Sequence, residues 1–253
     1  MDLFWQSENY ATGQDGFGLF SPAHLIALVI LAGVATLLTR AYLHAEAARR
    51  HRIRATIAWT VVVLELVKDL ALIVTGQWLW ANLPLNLCSW GIPFIALDVV
   101  RPGPWSRTLL YSLTLPGAAM AVLTPDWARS PILNAFVWHS FVMHLLLSTY
   151  VIMRLVAREM TPSARDLWRS VVFLAVVVPP TALVNHALGT NFFFLSVPVP
   201  GSPLAPVHQM FGGFYLVGLA LLLVVFWTPM YLPWGIVRLR QGLTVRARAV
   251  TVS

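Results

Sequence analysis

The sequence predicts an all-α polytopic membrane bundle of about seven transmembrane helices, with the N-terminus outside and the C-terminus in the cytoplasm. Hydrophobic residues make up 58% of the 253 residues, and charged residues make up only 11%. A soluble domain needs roughly a quarter of charged residues to cover its surface. Apolar stretches of about 20 residues recur along the chain, and each can cross a hydrocarbon core of about 30 Å. Residues 1–253 are therefore expected to form one transmembrane domain.

Seven apolar segments account for the predicted helices. Backbone polar groups that face lipid must be satisfied within their own segment, so helices are favoured over strands. The fourth segment is short and contains Pro116, so a kink or a helix start is expected there. The segments cover about 22–42, 55–75, 83–100, 108–123, 132–156, 168–188 and 210–232.

The arginines predict the orientation of this bundle. Fifteen of the sixteen arginines fall in the connections on one side or in the C-terminal tail, and Arg129 is alone on the other side. Short cytoplasmic connections carry the excess of basic residues, so the arginine-rich side is expected to be cytoplasmic. Successive connections lie on alternate sides of the membrane. Only an odd number of spans places the first connection and the C-terminal tail on the same side, which favours seven spans over six or eight. The net charge of +7 thus indicates topology and not nucleic-acid binding.

Polar side chains gather near the outer ends of the predicted helices. Polar groups inside a membrane are costly and usually face the bundle interior or a wet cavity. We therefore expect a site that opens toward the outer leaflet. Its candidate members are His24, Asn86, Cys88, His139, Asn185, His186, Asn191 and His208.

Several of these residues also have a structural interpretation. A single buried cysteine such as Cys88 is often a small apolar filler. His24 follows Ser21 and Pro22, which is typical of a helix start. Asn185 and His186 could cap the sixth helix. His144 lies about 140° around the helix from His139 at ~100° per residue, so a structural role is favoured for it.

The second segment carries three charged residues, Glu65, Lys68 and Asp69. Their spacing places them on one face of a helix, where Lys68 can neutralise a carboxylate. One interpretation is a buried ion pair that holds the bundle together. The other is a carboxylate that orients a histidine or relays a proton. These charges also support an alternative function, a transporter or a small-molecule binding protein with a polar cavity.

Cysteine and histidine together permit nucleophilic chemistry. A thiolate attacks an ester to form a thioester once a base, usually histidine, has removed its proton. Neutral amide donors such as Asn86, Asn185 and Asn191 could stabilise the oxyanion or bind the substrate. At the outer leaflet of a membrane, the obvious ester is a phospholipid acyl chain.

Five motifs occur in order along the chain: FSPAHLIAL, LPLNLCSW, AAMAVLTPDW, FVWHSFVMH and ALVNHALGTNFFFL. Together they resemble the YwaF-type bacterial integral membrane proteins. The animal relative of that family is transmembrane protein 164, described as an acyltransferase that makes ether phospholipids. The resemblance covers residues 20 to about 205.

The resemblance implies a nucleophilic thiol at Cys88 and a histidine base at His139. From the LPLNLC match and the clustering of polar residues near the outer face, we hypothesise acyl transfer between phospholipid and lysophospholipid. We expect the bacterial inner membrane as the location, membrane phospholipids as partners and no cofactor. Two positions depart from the family pattern, since Asn86 stands where relatives often have histidine and Phe192 stands where tyrosine is commoner. Any role for a second histidine near the thiol is therefore in doubt.

Two further alternatives follow from the residues. A retinal photoreceptor is excluded because the seventh segment has no lysine for a Schiff base. A catalytic metal site would need three ligands such as His24, His139 and His186. No closely spaced histidine pair favours that site, and we predict no metal.

Overall fold

The computed structural model describes residues 3–11 and 13–251, with side chains described as far as 238. Every regular element in these residues is helical, which confirms the predicted all-α class. The longer helices are α1 (Pro22–Leu43), α2 (Ala47–Val74), α3 (Gly91–Val100), α4 (Pro104–Leu109), α5 (Leu115–Leu123), α6 (Ala135–Val156), α7 (Trp168–Leu188), α8 (Leu204–Phe211) and α9 (Tyr215–Thr251).

Five helical stretches of the described chain are long and apolar enough to cross a membrane, so the protein is a multi-pass integral membrane protein. They correspond to the first, fourth, fifth, sixth and seventh predicted segments. Of the other two segments, α2 has 28 residues but carries many charges, and α3 is apolar but has only 10 residues. The five stretches are Pro22–Leu43, Pro104–Arg129, Ala135–Val156, Ala164–Leu188 and Leu204–Arg238.

Local sequence signals explain where several helices begin and end. The hydroxyl of Ser21 accepts a hydrogen bond from the backbone N–H of His24 at 3.3 Å, with Pro22 in the first position of α1. The side chain of Asn134 caps α6 in the same way, since it accepts from Phe136 N at 2.8 Å. Gly189 follows α7 with φ +64°, the left-handed conformation that glycine adopts without strain.

The third predicted segment, 83–100, is helical only from Gly91. Residues 83–90 form a series of turns, in which Gly91 N donates to Cys88 O at 2.9 Å. The prediction that Asn86 and Cys88 occupy the first turns of a helix is therefore wrong. Pro93 explains the difference, because a proline without an N–H is tolerated in the first turn but removes a hydrogen bond from a helix interior.

The fourth segment contains a π-helical turn, Leu110–Thr114, between α4 and α5. There the N–H of Leu115 donates to the carbonyl of Leu110, five residues earlier. The extra residue in this turn places Pro116 in the first turn of α5, where its missing N–H breaks no helical hydrogen bond. The expected irregularity at Pro116 is thus confirmed as a π-turn followed by a new helix.

Helix α6 lies at the centre of the bundle and contacts α1, α2, α3 and α5. Helix α3 approaches it closely through Gly91, since a Cβ on this glycine would lie 2.8 Å from Thr114 and 3.1 Å from Leu147. Helix α9 is attached to the π-turn, because the indole N–H of Trp227 donates to the carbonyl of Ser112 at 2.9 Å.

The N-terminal segment, residues 3–11 and 13–20, covers one end of the bundle, which we call the Glu8 end. Gln77 holds it by accepting from Ser7 N at 2.8 Å and donating to Trp5 O at 2.9 Å. The amide of Asn134 donates to the carbonyls of Leu3 and Gln6. The opposite end, where α1 ends, α2 begins and α6 ends, is called the Arg154 end.

Candidate functional site

The three charged residues of α2 form a connected group inside the bundle. The Nζ atom of Lys68 lies 2.7 Å from Oε1 of Glu65 and 3.3 Å from Oδ1 of Asp69. All three side chains are half-buried. An ammonium between two carboxylates offsets much of the cost of removing these charges from water.

His139 projects from α6 toward this group. Its Nε2 atom lies 3.2 Å from the carbonyl oxygen of Leu64 and 4.0 Å from Oε2 of Glu65. A carbonyl only accepts hydrogen bonds, so Nε2 carries the proton and Nδ1 keeps its lone pair. In the neutral form, His139 therefore has one ring nitrogen that can accept a proton.

His144 lies one turn further along α6 and is held in a similar way. Its Nδ1 atom donates to the carbonyl of Ser140 at 2.6 Å, which leaves the lone pair on Nε2. The ring stacks on Trp127, with centroids 5.1 Å apart. Glu65, which lies 4.0 Å from the ring of His139, is also within electrostatic range of His144.

Cys88, the one cysteine of the chain, lies in the turns before α3 and is half-buried. Its thiol packs against α5 at Gly117, where an added Cβ would lie 3.5 Å from Sγ. The carboxylate of Asp126, just after α5, is within electrostatic range of the thiol. In the described part of the chain, no hydrogen bond joins Cys88 to His139.

Asparagine amides occupy different positions at the Glu8 end. Asn185 accepts from Phe192 N at 2.8 Å and donates to Phe192 O at 3.0 Å. Asn191 donates to Val197 O at 2.8 Å and accepts from the backbone of the same loop. Both are thus engaged in holding the connection between α7 and α8.

Asn86 differs from the other two asparagines. Its Oδ1 atom accepts from the backbone N–H of Phe193 at 3.2 Å, which ties the turns before α3 to the α7–α8 connection. Within the described residues its amide nitrogen has no hydrogen-bond acceptor. Of the three predicted amide donors, Asn86 is therefore the one whose N–H groups are available, and it stands two residues from Cys88.

His24 and His186 do not line this interior. His24 is fully buried, accepts from Phe20 N at 3.0 Å through Nδ1 and lies 3.0 Å from Val122 O through Nε2. Its expected role at a helix start is confirmed, and neither ring nitrogen is left for a metal. His186 is exposed at the end of α7. No group of three or more potential metal ligands occurs among residues 3–11 and 13–251.

Glu8 brings a further carboxyl group to the site, which the sequence patterns did not indicate. Its side chain reaches solvent, yet surrounding protein raises its pKa from 4.5 to about 8. Desolvation is the largest cause, the charge of Asp126 adds to it, and Lys68 opposes both. Asp126 and Lys68 are therefore both within electrostatic range of Glu8, where the N-terminal segment covers the bundle.

The Arg154 end carries a second polar cluster that sequence analysis also missed. Asp98 of α3 is fully buried and accepts from Ser106 Oγ at 2.9 Å, from Tyr150 OH at 2.7 Å and from the guanidinium of Arg154. The guanidinium of Arg154 also lies 3.6 Å from Glu159. An aspartate inside the apolar third segment was the available signal for this cluster.

These features define a class of protein: a polytopic helical membrane protein whose interior carries a thiol, two imidazoles and several carboxylates. Within this class, the chain belongs to the TMEM164 family, whose family model matches residues 19–231. This membership confirms the predicted relation to transmembrane protein 164. The matched range includes every candidate site residue described above except Glu8. No curated protein and no solved structure matches the chain.

Proposed function

We propose that this protein is a membrane-embedded acyltransferase that moves acyl chains between phospholipids through a thioester on Cys88. Membership of the TMEM164 family supports the proposal. The observation that carries it is the position of Glu65. This carboxylate lies 4.0 Å from the ring of His139 and shares a cleft with Ser89, the neighbour of Cys88. The segment that carries the thiol and the carboxylate beside the imidazole thus line the same cleft, which supports a Cys88–His139 pair.

In the first half-reaction, Nδ1 of His139 takes the thiol proton of Cys88. The thiolate attacks the ester carbonyl carbon of a phospholipid and forms a tetrahedral intermediate. The C–O bond of the ester then breaks, and the leaving alkoxide takes the proton from the imidazolium. The products are an acyl thioester on Cys88 and a lysophospholipid.

In the second half-reaction, the hydroxyl of another lysophospholipid attacks the thioester carbonyl and passes its proton to His139. The C–S bond breaks and the thiolate recovers that proton, which returns the enzyme to its starting state. Water in place of the lysophospholipid would release a fatty acid. The free amide N–H groups of Asn86 are the proposed donors to the oxyanion in both steps, where such a donor is worth about 10²–10³ in kcat.

Intact mass spectrometry after incubation with mixed phospholipids tests the thioester. We expect an acyl adduct on the wild-type protein that hydroxylamine removes, and no adduct on Cys88→Ser. His139→Gln should form the adduct far more slowly, while His144→Gln should retain it. Loss of the adduct in His144→Gln alone would assign the base to His144. Equal lipid turnover by wild type and Cys88→Ser would refute the thioester mechanism.

The membrane topology belongs to the same proposal. Counting α2 and the segment around α3 as spans gives seven, with the N-terminus outside and the C-terminus in the cytoplasm. The distribution of fifteen arginines on one side supports this orientation, and the site would then face the outer leaflet of the bacterial inner membrane. Membrane phospholipids would reach it directly.

A second candidate function is transport or binding of a small polar molecule. The ionisable groups of the interior favour it, because Glu65, Lys68 and Asp69 are joined by Glu8, whose pKa is raised to about 8. A transporter should depend on these charges and tolerate Cys88→Ser. An acyltransferase should lose its activity in Cys88→Ser, so the two candidates are separated by one variant.

A further inference from the structure

We propose that a cleft between α2 and the segment 84–93 binds the acyl chain of the phospholipid substrate, which reaches the site sideways from the bilayer. This inference rests on the proposed acyltransferase function and specifies where that enzyme holds its substrate. The cleft has a volume of about 290 Å³. Its walls are apolar and include Leu66, Leu85, Ile92 and Pro93.

The position of the cleft favours lipid as its occupant. Leu66 is 63% exposed on the outside of the bundle, and Pro93 is exposed on the opposite wall. In a membrane protein, such exposed apolar side chains face acyl chains and not water. An acyl chain can therefore pass from the bilayer into the cleft without crossing water.

The size of the cleft favours a single chain. Pockets for small ligands commonly measure about 300–1,000 Å³, so this cleft is at the lower limit. It is too small for a whole phospholipid with two chains and a headgroup. It holds part of a single chain, while the rest of the phospholipid stays outside.

The inner end of the cleft connects it to the reacting groups. Glu65 and Ser89 line the cleft among the apolar residues. Glu65 is the carboxylate that contacts Lys68 and approaches the ring of His139, and Ser89 follows Cys88 directly in the chain. A chain in the cleft would thus bring its ester carbonyl toward the thiol segment.

A second cleft on another face of α2 provides the matched control. It is lined only by residues of α2, among them Arg52, Trp59 and Val63, and measures about 560 Å³. It is larger and more open to lipid, but neither Cys88 nor its neighbours line it. Accidental contact with bilayer lipid would label this cleft at least as well as the first.

Photo-crosslinking of a bound lipid tests the inference without turnover. The Cys88→Ser protein is reconstituted in vesicles of phosphatidylethanolamine and phosphatidylglycerol that contain a phosphatidylcholine with a diazirine on its acyl chain. We expect adducts on peptides with Leu66, Leu85 or Ile92, and a several-fold loss of them in Leu66→Trp. Val63→Trp should leave them unchanged. Equal labelling of both clefts, or no effect of Leu66→Trp, would overturn the inference.

Chain-length preference gives a second readout in the active protein. Filling the cleft with Leu66→Trp or Ile92→Phe should lower the ratio of long-chain to short-chain transfer by about tenfold, the scale of one or two methylenes in a hydrophobic pocket. If Leu66→Trp fails to fold, the adduct map of the Cys88→Ser protein decides alone. A cleft adduct with full activity in Cys88→Ser would refute the thioester but not lipid binding. A thioester on the wild-type protein without cleft adducts would refute lipid binding in the cleft but not the thioester mechanism.

Discussion

Arg154 and Asp98 meet inside the bundle, where the arginine side chain is 2% exposed and the aspartate 0%. Removing two charges from water costs several kcal/mol each, and only their mutual contact and the surrounding hydrogen bonds offset this cost. Tyr150 and Ser106 satisfy the remaining lone pairs of Asp98. The pair thus depends on both members being present.

We expect Arg154→Met to lower the free energy of unfolding by about 3–5 kcal/mol, because Asp98 would be left as a buried charge without its partner. Adding Asp98→Asn to this variant should restore part of the loss. The measurement is thermal or denaturant unfolding in detergent. Arg49→Met, at an exposed position of α2, is the control and should match the wild type. Equal stability of Arg154→Met and Arg49→Met would contradict the buried pair.

Glu8 predicts a pH dependence of stability. Its pKa is raised to about 8 in the folded protein, so between pH 4.5 and about 8 the folded state binds a proton that the unfolded state has lost. Stability therefore decreases as the pH rises through this window. Glu8→Gln should abolish this contribution and be more stable than the wild type above pH 8. Unfolding midpoints across the window measure the effect, with Glu46→Gln as an exposed control. A constant difference at all pH values would exclude Glu8 as the titrating group.

Some side-chain contacts could be predicted from the sequence, and others could not. The ion-pair geometry of Glu65, Lys68 and Asp69 followed from helical spacing, and the structure brings the three together. Spacing within one helix could not show that Asn185 and Asn191 serve the loop, because their partners are backbone atoms of irregular segments. Glu8 was missed for a similar reason, since only the folded N-terminal segment brings it toward Lys68.

Among the elements, α3 packs with little room at its first residue. Its first residue, Gly91, faces the π-turn, and the side chains of Thr114 and Leu147 occupy the space that a Cβ would need. The π-turn brings Thr114 to this position. The close contact of α3 at Gly91 and the π-turn that carries Thr114 thus depend on each other.

Gly91→Ala should destabilise the protein by about 1–3 kcal/mol, because the added methyl group overlaps Thr114 in a packed core. Gly33→Ala in α1 is the matched control, since no atom lies within 4 Å of its Cβ position. That change should be neutral or stabilising by about 0.5–1 kcal/mol, as expected when alanine replaces glycine in a helix. Thermal unfolding of both variants in the same detergent compares them. A greater loss in Gly33→Ala would contradict the packing of α3.

The accuracy of the predicted boundaries differs from helix to helix. The first segment was expected from residue 22 and α1 begins there, because Ser21 and Pro22 are a strong start signal. The third segment was expected from residue 83, but apolar composition alone does not distinguish a helix from apolar turns. The seventh was expected from 210, yet α9 begins at Tyr215 after the separate α8, which hydropathy cannot resolve.

At the scale of the whole molecule, the proposed topology can be tested by labelling. In a Cys88→Ser background, Asp15→Cys should react with a membrane-impermeant maleimide in intact cells. Glu46→Cys should react only after permeabilisation, because the arginine-rich connections are expected in the cytoplasm. Both positions are exposed, so burial does not limit the reaction. Labelling of both positions in intact cells would contradict a first helix that crosses the membrane, and labelling of Glu46→Cys alone would contradict an N-terminus outside.

The fold class could be predicted because the bilayer requires long apolar helices, whatever the detailed packing between them. Composition and hydropathy show such helices directly. The site could be predicted only in part. Cys88 and His139 were named from motifs, but Cys88 lies in turns that no helical period describes. Asp98 lay within an apolar segment, and its partner Arg154 was counted among the cytoplasmic residues.

The pairing of Lys68 with Glu65 and Asp69 has a consequence for chemical labelling. Lys68 carries the only side-chain amine of the chain, and the other sixteen basic side chains are guanidiniums that amine-reactive esters leave intact. A fluorescent succinimidyl ester can therefore acylate one internal side chain, at the point where the N-terminal segment, α2 and α6 meet. The rate of acylation at Lys68, followed on the peptide that contains it, would report without any engineered probe how often this end of the bundle opens.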